Sequence, residues 1–475
     1  MPDPFLPSSA PSPSAPQKPG ARTMDLNITW DALARACGGR LVRGEPGDRV
    51  RAISTDSRKL ADGSVFWALS GKSFDAHDFL GAQTASADGW VIQRGRKSKD
   101  GSQPAHIVEV LDTLKALQGL AAWHRQRFEI PVAAVAGSNG KTSTKEMLRS
   151  ICAQAGAVCA TRGNLNNQYG LPLSLLELNE HDRYAVFELG ESHFGDVEEL
   201  ARITRPTVGV ITNVGPAHLE FLGNLEGVFR CLSELLTASP PETTFAVNLD
   251  DPWLAALETQ LGNRAITFGR AERAAVALRD SPAGVVELVI QRRKITAQLA
   301  CPGRLHQLNA AAAAAGALGM GLGTDEIVRG LEAFRPAPMR FEPRQHPSGA
   351  WLLVDAYNAN PASMKAGIAS FLDAYQNCRK ILVLGAMKEL GPESPRFHRE
   401  LGEWVGGLPV EAVFFAGPEM RPAAEAARGG VPRVIRQADE PALLGPELSS
   451  MLGADSAVFF KASRAVALET LVESL

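Results

Sequence analysis

Pro131-Val-Ala-Ala-Val-Ala136-Gly-Ser-Asn-Gly-Lys-Thr-Ser143 decides how this chain is read. The apolar run Pro131 to Ala136 has the length of a buried strand, and a helical pattern runs from Ser143 to Gln154. Between them lie Gly137, Ser138, Asn139, Gly140, Lys141 and Thr142. Strand, Gly-rich loop and helix in this order make a phosphate cradle. Glycines let backbone N–H groups turn toward an anion, and the helix N-terminus adds a favourable partial positive charge. Lys141 is expected to reach the terminal phosphates and the Thr142 hydroxyl to hold Mg2+. The first glycine stands closer to the Gly-Lys pair than in G-x-x-x-x-G-K-[ST], so the ordinary pattern does not quite fit. A Gly-rich turn with a solvated lysine is the plain alternative, and the order of the elements disfavours it.

Downstream, apolar strands are expected at Tyr184 to Leu189, Val208 to Asn213 and Phe245 to Asn248, and an Ala-rich packed helix from Asn309 to Leu322. Strands alternating with helices in this way predict a mostly parallel sheet. The Pro-containing segment Arg335 to Met339 reads as a linker, and beyond it strands at Trp351 to Val354, Lys380 to Leu384, Ala412 to Phe415 and Val458 to Lys461 alternate with Ala- and Leu-rich helices. That third unit reads as doubly wound. Upstream, short strands at Val50 to Ser54, Ser64 to Leu69, Gly89 to Gln93 and His106 to Val110 precede a helix around Asp112 to Phe128. The chain of 475 residues, at roughly 150 per domain, agrees with three units. The expected division is a small α/β domain over 24–128, a central P-loop mononucleotide-binding domain with a mostly parallel sheet over 129–338, and a Rossmann-like domain over 339–475. Residues 1–23, dominated by Pro, Ser and Ala, read as a disordered tail whose removal should change neither activity nor melting temperature, and Met24 is a candidate true start.

With 45% hydrophobic and 21% charged residues and a net charge of -3, the balance is that of a globular protein and implies no nucleic-acid partner. Six cysteines are scattered without a C-x-x-C pair, which supports neither a disulfide framework nor a zinc site. No apolar stretch of ~18 residues occurs and the N-terminus lacks the build of a signal peptide, so no membrane is expected and the compartment is read as cytoplasmic.

Phosphoryl transfer needs cations against the phosphates, so oxygen or imidazole groups should lie at neighbouring strand ends. Glu188, near the end of Tyr184-Ala-Val-Phe-Glu-Leu-Gly190, is one candidate, because an unpaired carboxylate there is costly to bury. A metal or a lysine would remove that cost. His218, in Asn213-Val-Gly-Pro-Ala-His-Leu-Glu220, is the other; taken alone, such a residue is more often a hydrogen-bonded structural histidine than a ligand.

These motifs, in this order along nearly the whole chain after Met24, resemble the Mur ligases of peptidoglycan synthesis. Gly137 to Ser143 is similar to the family's ATP loop, Gly163-Asn-Leu-Asn-Asn167 with Gly170 and Pro172 to its Gly-Asn-Leu-Asn-Asn segment, and Glu188-Leu-Gly190 to its Mg2+ glutamate motif. His218 matches the metal histidine, which makes Thr142, Glu188 and His218 the implied metal set. Asn309 matches an asparagine near the nucleotide, Arg340 an arginine contacting phosphate, and Asp355-Ala-Tyr-Asn-Ala-Asn360-Pro with Ser363 the adenine-side signature, including Tyr357 and Asn358. This signature and the Asn164, Asn166 and Asn167 segment resemble the members that add a dipeptide rather than a single amino acid.

The resemblance implies an ATP-dependent ligase. ATP would phosphorylate the terminal carboxylate of UDP-MurNAc-tripeptide, the amine of D-alanyl-D-alanine would attack the acyl phosphate, and ADP and phosphate would leave. Such steps ask for charge neutralisation and alignment more than for a protein nucleophile. Lys141, Mg2+ and Arg340 would supply the first, and Lys141, Glu188, His218 and Arg340 are the implied catalytic set. Thr55-Asp-Ser57-Arg58 resembles the uridine-diphosphate contact, and Gly71 to Phe79, with Asp75 and His77, the loop beside it. Lys461-Ala-Ser463-Arg464 and Gly385-Ala-Met-Lys-Glu-Leu-Gly391 resemble segments near the incoming dipeptide; as solvated surface loops they would carry no such role. Departures from the family are Ala462 for a glycine, Ala386 for an aspartate and Leu305-His306 for His-Asn. A larger one is Leu232, fourteen positions after His218, where the family commonly carries a lysine carbamylated by CO2 that helps hold a second Mg2+. Glu234 is a candidate substitute.

Within the same chemistry, a Mur ligase for a single amino acid or a folylpolyglutamate synthase are the alternatives. From other classes, a P-loop regulatory NTPase leaves the third unit's asparagine signature unexplained, and a noncatalytic nucleotide-binding module would lack Lys141 or Glu188. A monomer is expected. Lys141→Ala is expected to abolish turnover with little loss of stability, on the reading of Lys141 as an exposed loop residue.

Overall fold

Val132–Ala136 is buried at every residue and lies between two parallel neighbours, Tyr184–Glu188 and Val208–Ile211. An interior strand of a parallel sheet is covered on both faces, which is why it reads as an unbroken apolar run. The computed structural model of the protein describes residues 26–475 except 62, 72, 73 and 85. The tail expected over 1–23, the possible start at Met24, and positions 72 and 73 of the loop from Gly71 to Phe79 lie outside the described residues.

The sheet around Val132–Ala136 has nine strands. From one edge they run Val158–Ala160, Tyr184–Glu188, Val132–Ala136, Val208–Ile211, Thr244–Asn248, Ala265–Gly269 and Val276–Arg279, all parallel. An antiparallel hairpin, Val285–Ile290 and Arg293–Gln298, completes the other edge. Lys141–Cys152 and Arg304–Gly319 cover one face through Met147, Leu148, Ile151 and Ala310 to Ala315. Asp196–Thr204 and Leu225–Ala238 cover the other through Val197, Leu200, Val228 and Leu235. The strands from Ala265 to Gln298 go beyond those expected from the sequence. The hairpin alternates buried and partly exposed residues because only one of its faces is covered, and this two-residue period was the available signal.

Two further sheets flank this one. In the first unit, Arg40–Arg43 runs antiparallel to His106–Val110, followed in parallel by Gly89–Gln93, Ser64–Trp67 and Ala52–Ser54. The single strand expected from Val50 to Ser54 is two: Arg49–Val50 pairs with Ile28–Thr29 in a separate ribbon, and Ala52–Ser54 joins the larger sheet. The helix Thr113–Arg125 starts where Asp112 Oδ1 accepts from the N–H groups of Leu114 and Lys115 at 2.8 and 3.0 Å. Its Leu117, Leu120 and Ala121 belong to a cluster that runs from Trp30 and Leu33 to Leu175, Phe187 and Leu200, so one apolar core joins the first sheet to the second.

The third unit is a six-stranded sheet in the order Glu342–Gln345, Trp351–Asp355, Ser456–Lys461, Arg379–Gly385, Ala412–Ala416, Val434–Ala438, parallel except for its first strand. It is α/β and doubly wound, with Pro361–Ala374 and Ser394–Gly406 on one face and Gly445–Ser450 and Glu469–Ser474 on the other. No helix among the described residues is long and apolar enough to cross a membrane.

Candidate functional site

Two glycines allow the loop after Val132–Ala136 to close. Gly137 has φ +133° and a Cβ there would lie 2.1 Å from Thr212 Oγ1; Gly140 has φ +81° and its Cβ would lie 2.3 Å from Asn309 Oδ1. Any side chain at either place would be strained and would clash. The loop is pinned to the end of the next strand. Ser138 Oγ donates to Gly215 O at 3.1 Å, Asn139 N donates to Asn213 Oδ1 at 3.1 Å, and Thr212 Oγ1 donates to Asn139 O at 2.6 Å. Lys141–Cys152 then begins with Thr142 buried and Ser143 half-buried in its first turn.

Lys141 does not stand free. Its Nζ donates to Gly137 O at 2.5 Å and to Glu191 Oε1 at 2.8 Å, and its side chain is 15% exposed. Glu188, at the end of its strand, accepts from Asn166 Nδ2 at 2.8 Å through Oε1, while its Oε2 is buried with no hydrogen-bond partner. Asn309 Nδ2, next to the loop, is likewise buried without an acceptor. Orphaned polar atoms of opposite character beside one Gly-rich loop fit a charged ligand that comes with a counter-ion. Among the described residues no three His, Cys, Asp or Glu side chains gather as a metal cluster, so a cation here would share its shell with ligand oxygens.

The third unit reaches into this site. Asn360 Nδ2 donates to Asn139 Oδ1 at 2.9 Å, and Asn360 Oδ1 caps Pro361–Ala374 by accepting from Ser363 N at 2.8 Å. His218 Nδ1 lies 2.7 Å from Glu389 Oε2, close enough for an ion pair although the angle is poor for a hydrogen bond, and the imidazole holds Glu389 below the usual carboxylate range. Arg340 lies over the Tyr357 ring at 4.1 Å. Burial raises the Tyr357 hydroxyl above its ordinary value, the Arg340 charge lowers it and the Glu188 charge adds to the rise. The structure thus brings together Gly137 to Ser143, Glu188, Asn166, Asn309 and Asn360, while Arg340 stacks on Tyr357 and His218 faces Glu389.

Asp355 and Lys461 form a buried pair beneath this group: Lys461 Nζ donates to Asp355 Oδ2 at 2.6 Å and to Asn358 O at 3.0 Å. Ser463 Oγ donates to Ala359 O at 3.3 Å and accepts from Lys388 N at 3.0 Å. Lys461 and Ser463 are therefore built into the third unit rather than solvated, whereas Asn358 is exposed and Arg464 is exposed and paired with Glu469. Ala462 is fully buried against Gly385, where a Cβ would lie 2.6 Å from the Ala462 methyl, so the departure at 462 is accommodated by the glycine opposite.

Other expected residues lie elsewhere. Asn167 Oδ1 accepts from Tyr169 N at 3.2 Å and Gly170 N at 2.9 Å in the turn before Gly170–Leu175, and Asn164 is exposed. Ser57 and Arg58 follow Ala52–Ser54 in the first unit, with Arg58 paired to Asp56. Asp75 accepts from Ser70 Oγ at 2.8 Å, Arg96 at 2.8 Å and His77 N at 3.0 Å and faces His77 Nδ1 at 2.6 Å; burial opposes its charge, but the bonds from His77 and Ser70 outweigh it and hold Asp75 down to about 2. His77 Nε2 accepts from Gln93 N at 2.9 Å, which assigns the proton to Nδ1. Glu234 is not the substitute carboxylate considered for Leu232: its oxygens accept from Gly195 N and Glu198 N at 2.8 and 3.1 Å and cap Asp196–Thr204. Leu232 is fully buried in the apolar cluster under Leu225–Ala238.

Sequence reasoning missed Glu191 and Asn213, and held Glu389 only as part of the Gly385 to Gly391 segment set near the dipeptide. Glu191 directly follows the Glu188-Leu-Gly190 motif, and a carboxylate just past a strand end in a parallel sheet was the available signal. Nothing local pairs Glu389 with His218, because that partner comes from another unit.

Residues 135–317 match the Mur ligase middle domain and residues 339–464 the Mur ligase glutamate ligase domain. The UDP-N-acetylmuramoyl-tripeptide--D-alanyl-D-alanine ligase of Escherichia coli (strain K12) is 34% identical over 459 residues, covering 95% of this chain and 98% of that protein. The enzyme of the same name from Synechocystis is 35% identical, covering 90% of this chain and 92% of the relative. A crystal structure of MurF from Acinetobacter baumannii superposes with a TM-score of 0.86 at 32% identity, over 94% of this chain and 98% of that one. MurF from Thermotoga maritima in complex with ADP does so with a TM-score of 0.78 at 30% identity, over 89% and 96%. With the ATP loop, the glutamate at the strand end and the third unit's asparagine segment assembled as described, the chain belongs to the Mur ligase family, in its MurF group.

Proposed function

We propose that this ligase joins D-alanyl-D-alanine to UDP-MurNAc-tripeptide through an acyl phosphate, at the expense of ATP, in peptidoglycan precursor synthesis. The observation that carries the reading is the Asn360–Asn139 hydrogen bond, which sets the Asp355 to Asn360 segment of the third unit on the ATP loop. A regulatory P-loop NTPase has no use for that contact, whereas a ligase needs a second unit to bring an amine to the activated carboxyl group. The MurF relatives favour the dipeptide over a single amino acid as the amine.

The residues divide the work by charge. Backbone N–H groups at the start of Lys141–Cys152 face the phosphates, while those of Ser138 and Asn139 hold the loop to Asn213, and Lys141 and Arg340 offset the charge that spreads over the transferred phosphoryl group. Asn309 Nδ2 offers an unspent donor beside Gly140. The terminal carboxylate of the tripeptide attacks the γ-phosphorus, ADP leaves, and the amine of the dipeptide then displaces phosphate from the acyl carbon. Lys461, Ser463 and Arg464 are read as lining the dipeptide side, and Ser57, Arg58, Asn164, Asn166 and Asn167 the nucleotide-linked substrate.

Mg2+ fits this site. The unpaired buried Glu188 Oε2 and the buried Thr142 hydroxyl are hard oxygen donors of the kind Mg2+ takes alongside phosphate, and His218 stands with them in the implied set. When bound, the ion supplies positive charge against the phosphate oxygens.

The division at 24–128, 129–338 and 339–475 is supported by the sheets, whose strands fall within Ile28–Val110, Val132–Gln298 and Glu342–Lys461. The reading carries with it a cytoplasmic enzyme that works as a monomer, since a single chain supplies both Asn139 and Asn360, and both His218 and Glu389.

Phosphate release with ATP and UDP-MurNAc-tripeptide, with and without D-alanyl-D-alanine, tests the reading. Release that needs both substrates supports it. Slow release indifferent to the amine would sink it, and response to a single amino acid instead would move the enzyme to another branch. Tripeptides carrying diaminopimelate or lysine at the third position identify the substrate.

A further inference from the structure

Glu191 is a buried charge that the scheme above leaves without a task. It follows Gly190 at the end of Tyr184–Glu188, its side chain is wholly buried, and its Oε1 holds Lys141 Nζ at 2.8 Å. Its Oε2 is buried with no hydrogen-bond partner, as is Oε2 of Glu188 three residues earlier. A fold that needed only a counter-ion for a lysine would not leave both outer oxygens dry and unsatisfied.

The two carboxylates and the lysine set up a charge problem when a triphosphate enters. Lys141 is drawn back between Gly137 O and Glu191 Oε1, yet the same ammonium has to face the phosphates. Moving it toward them leaves Glu191 buried without compensation, in a site already holding Glu188 and now the phosphate charge. A divalent cation entering with the nucleotide removes the conflict, because Glu188 Oε2 and Glu191 Oε2, at and just past one strand end, and the Thr142 hydroxyl, in the first turn of the helix after the neighbouring strand, are all hard oxygen donors.

We propose that Glu191 is a positioning residue for Lys141 that makes nucleotide binding depend on the cation: it holds the ammonium back in the cation-free site, and turns to the cation when it arrives, so that Lys141 is released to the phosphates. This rests on reading Lys141, Thr142 and Glu188 as the nucleotide site. It accounts for a carboxylate that neither a structural cap nor a substrate contact explains.

Calorimetric titration of ATP into the full chain, in excess chelator and in excess Mg2+, tests the proposal on Glu191→Gln beside the wild type. The ratio of the two affinities is the readout, since a merely structural loss weakens both alike. The wild type is expected to bind ATP far better with Mg2+. In Glu191→Gln, chelated ATP should bind more tightly and Mg2+-ATP no more tightly, so the ratio shrinks by about tenfold. Glu191→Asp, which keeps the charge with a shorter reach, should restore part of it. An unchanged ratio in a folded Glu191→Gln overturns the proposal. Should that variant not fold, Lys141→Met carries the test: with the ammonium gone, Mn2+ alone should bind the nucleotide-free chain about tenfold more tightly than it binds the wild type. No gain would overturn the proposal. Failure of the wild type to bind ATP under either condition would instead overturn the nucleotide site itself.

Discussion

Asn360 Nδ2 reaches Asn139 Oδ1 at 2.9 Å across 221 positions of chain, so the residue that caps a helix of the six-stranded unit also grips the ATP loop of the nine-stranded one. The two jobs use different atoms: Oδ1 caps and Nδ2 grips. Asn360→Asp keeps an acceptor for the cap and replaces the donor with an oxygen facing another oxygen. Melting temperature should stay close to that of the wild type while phosphate release falls by about tenfold or more, a loss of ~1.4 kcal/mol in transition-state stabilisation. Parallel calorimetry and steady-state kinetics decide it; equal activity would show that the contact does not organise the reaction.

Lys461 and Asp355 should behave as one buried unit. Lys461→Met leaves the Asp355 carboxylate unpaired in the third unit, and removing one partner of such a pair typically costs about 3–5 kcal/mol. Asp355→Asn in the same chain should recover a large part of that loss. Because a chain of several domains need not unfold in one step, the transition assigned to the third unit is the quantity to follow. Additive losses in the double variant would show that the two residues do not interact.

Acid should unfold this protein earlier than its carboxylates alone would explain. Burial pushes His306 down to about 4, with the Asp355 charge pulling the other way, and burial pushes His124 down to about 4 as well. An unfolded histidine titrates near 6.5, so between about 6.5 and 4 the unfolded chain binds more protons than the folded one. The stability contributed by keeping these rings neutral is whole above pH ~6.5 and falls away as pH drops toward 4. Both nitrogens of His306 are also buried without a partner. His306→Leu should therefore flatten the fall in melting temperature over that window and not lower it at pH 7. An identical pH profile for wild type and variant would refute the assignment.

Leu232 should make the enzyme indifferent to CO2. It is fully buried among apolar side chains on Leu225–Ala238, and leucine neither carbamylates nor ligates a metal. Phosphate release in CO2-stripped buffer should equal that with added bicarbonate. Leu232→Lys should lower the melting temperature, by about 2–4 °C for each kcal/mol that burying the ammonium costs, and should not become bicarbonate-dependent. A bicarbonate requirement in the wild type would overturn this.

The strands from Val132 to Asn248 were legible because parallel strands buried on both faces must be apolar throughout, and that pattern is local. The hairpin Val285 to Gln298 is hard to read because a half-covered edge carries only alternation, and Val50 to Ser54 reads as one strand because nothing local tells which of two sheets a residue joins.

By itself the sequence determined the three α/β units, the Gly-rich loop with Lys141 and Thr142, and the glutamate at the strand end, since each depends on residues close together in the chain. Only the tertiary structure decided what those residues face. Lys141, expected to be an exposed loop lysine of little structural weight, is mostly buried against Glu191, so Lys141→Ala leaves an unpaired buried carboxylate as well as an unguarded phosphate site. Asn139 with Asn360, His218 with Glu389, and Asp355 with Lys461 are partners set far apart in the chain. No pattern of neighbouring residues encodes such pairs: they form where separate apolar surfaces pack, and desolvation then makes the pairing of each enclosed charge or amide compulsory.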